Sequence, residues 1–139
     1  MRPSRQLHDM RFFFPLLPAE FEVPDEWWSE AGMVGFTPRA RSYRSALTAN
    51  LIPLREIEPP FRFPEYPLDW RGFSRDRLIA ILSGIAADAE IDPVPVIEVP
   101  PTDVPPAVFR YRVHNGLHRF YASVAAGFEC LPVVIVEEA

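Results

Sequence analysis

The chain has 139 residues, 48% of them hydrophobic and 13% aromatic, which is enough apolar mass for one compact domain and cramped for two. A net charge of −5 and a pI near 5.2 argue against a dedicated nucleic-acid binder, which needs a basic face to neutralise phosphates. All 14 cations are arginine, which excludes a Schiff-base lysine, a Walker lysine and a lysine general base, and the single cysteine, Cys130, permits no internal disulfide and fits a reducing cytosol.

Residues 1–10 read as a loose polar segment. Phe12 to Val23 is apolar but interrupted by Pro15 and Pro18, so it predicts extended segments lying over a core, not a helix. From Arg11 to Pro18 the apolar run is too short for a signal peptide, is broken by the two prolines and is followed at once by Glu20 and Glu22. Nowhere does the chain reach the roughly 18 consecutive apolar residues of a membrane span, so a cytoplasmic protein with no membrane partner is expected. Asp25 is placed as the cap of a short helix, Glu26 to Ala31, closed at Gly32. Trp27 and Trp28 on this helix are expected to pack on the core, the alternative being a surface for a protein partner.

Residues 37–77 carry eight Arg against five acids, an excess that suits an anion cleft or a solvated mixed-charge surface. Thr37 to Ala49 has no clean period and should cross the surface. Leu51 to Ile57 predicts a strand, and 59–72 a proline-stiffened loop carrying Arg62. Ser74 is a good N-cap, and Leu78, Ile81, Leu82 and Ile85 recur at helical spacing, so an amphipathic helix is predicted from Ser74 to Ala89. Val94 to Val99 predicts a strand, 100–106 a stiff link, and Phe109 to Val113 an alternating strand that stops at Asn115-Gly116. A helix with Phe120, Val124 and a small alanine face follows, and Pro132 to Glu137 predicts a last buried strand.

The strand, glycine turn and helix around Gly116 form the segment with the clearest chemistry. Amides in a first helical turn lack intrahelical acceptors, and the helix dipole is positive there. His118 and Arg119 would add side-chain donors, with Arg119 able to grip phosphate in a bidentate way. The opposing reading pairs Arg119 with a surface carboxylate and leaves His118 as an ordinary helix residue. Three histidines, at 8, 114 and 118, with one cysteine give no zinc signature, and no metal site is predicted.

Gly116-Leu117-His118-Arg119, continued by Phe120-Tyr121-Ala122, resembles the phosphate loop of the ParB N-terminal and sulfiredoxin superfamily, which reads Gly-x-His-Arg in sulfiredoxins and Gly-x-Arg-Arg in ParB. Phe73 to Ile85 is similar to the family's preceding helix, Pro95 to Val99 to its next strand, and Cys130 to Val136 to its closing strand. The resemblance implies an α+β fold, a small mixed β-sheet packed against two main helices, with residues 1–50 as an N-terminal extension and 51–139 as the domain. Full ParB proteins carry a helix-turn-helix domain after this module, whereas this chain stops at Ala139, so a stand-alone member is expected.

Leu117 stands where sulfiredoxins carry their catalytic cysteine, so the sulfinic-acid repair reaction has no thiolate here. Where the sulfiredoxin helix offers Lys, Ser and Thr to the nucleotide, this chain has Arg77, Ala80 and Gly84. The resemblance implies a nucleotide or phosphate ester held by Asn115, Gly116, Leu117, His118 and Arg119 with Arg77 and Arg62 flanking, ATP or CTP with Mg²⁺ being the implied ligand. If chemistry follows, it is phosphoryl transfer or nucleotide hydrolysis with Glu56 or Glu58 as base or metal ligand. Two alternatives stand beside it: a non-catalytic interaction module using Trp27 and Trp28, and a ParB-like nuclease, which the acidic charge disfavours.

Overall fold

The computed structural model describes residues 9–13, 20–61, 71–99 and 109–137. Among them the chain forms β1 (Asp9–Phe13), β2 (Glu20–Pro24), α1 (Asp25–Glu30), β3 (Asn50–Pro53), a 3₁₀ turn (Leu54–Glu56), β4 (Ile57–Glu58), α2 (Arg75–Ala86), β5 (Val94–Glu98), β6 (Tyr111–Val113), α3 (Leu117–Ala126) and β7 (Cys130–Ile135). The architecture is mixed α+β. A two-stranded ribbon of β1 and β2 stands apart from a five-stranded sheet in the order β3-β7-β5-β6-β4. In that sheet β5 runs parallel to β7 and β4 parallel to β6, whereas β3 with β7 and β5 with β6 are antiparallel.

The predicted single strand Leu51 to Ile57 is two strands on opposite edges of the sheet. The Leu54 amide still bonds the carbonyl of Glu129 at 3.0 Å, one step further along the β3–β7 register, and the Leu54 side chain drops into the core at 1% exposure; the chain then leaves the ladder through the 3₁₀ turn, which the Ile57 amide closes on the Leu54 carbonyl. This break curls the sheet. Five flat strands place their edges about 19 Å apart, whereas the step from Pro53 to Ile57 spans at most about 14 Å. The concave face then closes over α2 and α3.

Val94, Val96, Tyr111, Leu131, Val133 and Ile57 point from the sheet into the core and meet Leu78, Leu82 and Ile85 of α2 and Phe120 and Val124 of α3. Helix α2 begins at its predicted cap, with Ser74 Oγ accepting from the Arg77 amide, but it stops at Ala86. Asp88 takes φ 57°, and the amides of Asp88 and Ala89 return to Ile85 and Gly84, so the left-handed residue ends the helix before Ala89. Helix α3 closes the same way at Gly127, with φ 90° and the Phe128 amide bonded to Ser123. β7 begins at Cys130, two residues before the start of the apolar run read from Pro132, because Cys130 pairs with Pro53 of β3.

The N-terminal segment is part of the same core. Phe21 is 2% exposed and meets Phe73 and Tyr121 edge-on, at 6.2 and 4.9 Å between ring centroids. Phe12 packs on both Phe21 and Trp28. Glu22 pairs with Arg11 at 3.4 Å and with Arg71 at 3.1 Å, which ties β1, β2 and the start of the α2 segment together. Trp27 and Trp28 are both buried. Asp25 is the first residue of α1 and makes no side-chain cap; Pro24, with φ already near the helical value, precedes it, and Asp25 and Glu26 favour the positive end of the helix. Among the described residues no helix is long and apolar enough to cross a membrane.

Candidate functional site

β6 runs antiparallel to β5, so it ends beside the start of that strand. The chain then turns through His114, whose amide bonds the Pro95 carbonyl at 2.9 Å, and Gly116 launches α3. Gly116 has φ 140°, and a Cβ there would sit 2.9 Å from Val94 Cγ1 and 3.2 Å from Arg119 Nη2. Only glycine fits this turn against the strand without displacing something. Gly116, at the N-cap, has no side chain with which to cap α3. Leu117, His118 and Arg119, whose first-turn amides have no intrahelical acceptor, line a cleft of about 380 Å³ together with Arg77, Ala80 and Ile81 of α2.

The structure brings Asn115, Gly116, Leu117, His118, Arg119 and Arg77 together around this cleft. Arg62 lies outside the described residues. Glu56 and Glu58 are not among the lining residues. Both lie along the β4 side of β6, where Glu58 Oε1 is 3.7 Å from Arg112 Nε and the Glu56 carbonyl accepts from the Arg110 amide at 2.8 Å. No carboxylate lines the cleft among the described residues, so its charge is that of Arg77, Arg119 and the helix end.

Among the described residues Arg119 pairs with no surface carboxylate, the pairing that one reading of the sequence expected. Its Nη1 donates to the carbonyls of Pro93 at 2.8 Å and Asp92 at 3.3 Å, and its Nη2 donates to that of Asn115 at 3.3 Å. The guanidinium thus clamps the start of β5 to the turn. It supplies positive charge to the cleft while most of its donors hold backbone. The Asp92 carbonyl also accepts from the buried Tyr43 hydroxyl at 2.8 Å, and burial pushes the Tyr43 pKa well above its ordinary value.

His118 has a role that sequence reasoning missed. Its Nε2 accepts a hydrogen bond from the Ser74 amide at 2.9 Å. The ring is therefore neutral, with its proton on Nδ1, and its pKa is pushed down to about 4 by burial first and by the charge of Arg77 second. Phe73 packs at 5.9 Å between ring centroids. Ser74 is also the cap of α2, so one imidazole joins the N-terminal ends of the two helices that bound the cleft. Nothing in the local sequence of either residue signals a contact across 44 positions.

Compared with protein-family models, with curated proteins and with solved structures, the chain gives no match. What the residues define is a mixed α+β domain with a cationic cleft between two helix N-termini.

Proposed function

We propose that the cleft from Asn115 to Arg119 binds the phosphate group of a nucleotide or another phosphate ester. The observation that carries this reading is the first turn of α3, its amides without intrahelical acceptors, lining the cleft together with the exposed Arg77. Amides at a helix N-terminus and a cation without a carboxylate partner among the described residues are complementary to phosphate oxygens. The resemblance of Gly116-Leu117-His118-Arg119 to the ParB and sulfiredoxin loop supports the same reading. His118 acts here as a neutral strut that positions the helices, and Arg119 as a clamp with residual charge. Arg77 is then the principal side-chain donor to the ligand.

The residues do not fit a protein-held Mg²⁺. No carboxylate lines the cleft, and no group of three or more His, Cys, Asp or Glu converges among the described residues. The proposal is accordingly one of binding, and no hydrolytic step is assigned to Glu56 or Glu58. A partner surface made of Trp27 and Trp28 side chains has no exposed tryptophan to draw on.

The test is thermal unfolding with ATP, CTP, GTP, ADP and inorganic phosphate, each with and without Mg²⁺, on the wild type, Arg77→Ala and Gly116→Ala. A ligand at one hundred times its dissociation constant stabilises by about 2.7 kcal/mol, roughly 9 °C for a domain of this size. Arg77 is exposed, so its alanine variant keeps the fold and should lose most of that shift. No shift in the wild type, or an undiminished shift in Arg77→Ala, overturns the reading.

A further inference from the structure

A second cavity, of about 300 Å³, lies at the opposite end of α2 between its C-terminus and the 36–44 segment. Its floor is apolar: Ile85 and Phe128 are buried, and Phe36 stands edge-on to Phe128 at 6.0 Å between ring centroids. Its rim is charged and of both signs. Arg39 is exposed with no partner among the described residues, and Arg44 makes only long contacts to Asp88, Nη1 standing 3.4 Å from the carbonyl and 4.0 Å from the carboxylate. Asp88 sits just past the end of α2, at the negative pole of the helix dipole.

The cavity is preshaped. The Arg41 carbonyl accepts from the amides of Glu129 and Cys130, the Arg44 carbonyl accepts from Ile91, Ser45 Oγ donates to the Ile91 carbonyl, and Tyr43 is bonded to Asp92. These bonds pin the 41–45 wall across the starts of β5 and β7. Pro38 lies 3.4 Å from where a Cβ on Gly127 would sit, so the same wall also rests on the end of α3. A pocket fixed in this way loses little conformational freedom when it fills.

We infer that this cavity binds a free α-amino acid with an apolar or aromatic side chain, the side chain lying on Phe36, Phe128 and Ile85, the carboxylate meeting Arg39 and Arg44, and the ammonium meeting Asp88 and the C-terminal pole of α2. Each part of the lining then has a complement. A ligand carrying only an anion would leave the helix pole and Asp88 opposed to it, and one carrying only a cation would face two arginines. The size agrees, since about 300 Å³ is the small end of ligand cavities and suits a single residue, not a peptide.

The experiment is a backbone-amide NMR titration of the full chain with L-phenylalanine, and with 3-phenylpropionate, phenethylamine and glycine, which lack the ammonium, the carboxylate and the side chain respectively. L-Phenylalanine should shift amides of residues 36–44 and 85–89 saturably, and each truncated probe should bind at least about fivefold more weakly. Arg39→Gln/Arg44→Gln and Asp88→Asn alter exposed groups and should weaken L-phenylalanine by a similar factor while leaving the unliganded spectrum otherwise intact. The inference falls if L-phenylalanine shifts nothing, shifts residues 115–119 instead, binds no better than 3-phenylpropionate or phenethylamine, or binds both variants as well as the wild type.

Discussion

The bond from the Ser74 amide to His118 Nε2 makes a quantitative prediction about pH. A proton on Nε2 would face the Ser74 amide proton, so the native state resists protonation. The native pKa of about 4 lies below the ordinary 6.5 of an unfolded histidine. Between those values the unfolded chain binds more protons at this site than the native one, so stability falls as pH is lowered through the window and is restored as pH rises. A difference of that size corresponds to about 3 kcal/mol. The ring is partly exposed, and solvent screening reduces the effect to roughly 1–2 kcal/mol, or about 3–7 °C in Tm. The perturbation is His118→Gln, whose carbonyl oxygen reaches the position of Nε2 and accepts from Ser74 without titrating. Chemical denaturation of both proteins from pH 7 to pH 4, followed by subtraction, cancels the carboxylates common to both. The wild type should lose roughly 1–2 kcal/mol relative to His118→Gln across the window. A flat difference would refute the neutral-acceptor role of His118.

Phe21→Ala should cost about 3–5 kcal/mol, because it empties the aromatic cluster between β2, Phe73 and Tyr121; an effect below about 1 kcal/mol by urea denaturation would show that the first 50 residues add little to the core. Ser123→Ala should be neutral or stabilise by up to about 1 kcal/mol, since Ser123 Oγ is fully buried without a hydrogen-bond partner among the described residues. A clear loss of stability in the same assay would instead mean that this hydroxyl has an acceptor, the obvious one being the carbonyl one helical turn back.

Elements set by neighbours in the chain were legible before folding was considered. Ser74 caps α2 because a serine hydroxyl reaches an amide three residues on, and Gly116 precedes α3 because the turn requires a backbone that bears no Cβ. The order of strands and helices and the apolar stripe of α2 follow from periodicity in the same way. The composition around Gly116 likewise marked a cationic helix start. What the sequence could not carry is any feature whose energy comes from residues far apart in the chain. The strand read from Leu51 to Ile57 breaks at the 3₁₀ turn that seats Leu54 in the core, and the sheet curls in consequence. Arg119 is drawn from a ligand role toward a clamp by carbonyls at Asp92 and Pro93. His118 takes its tautomer and its low pKa from Ser74, from burial and from Arg77. Local sequence determined which backbone groups were left open at the two helix starts; tertiary packing alone decided which side chains remained free to use them, because a donor is claimed first by a buried carbonyl, and an acceptor by a buried amide, that has no water to satisfy it.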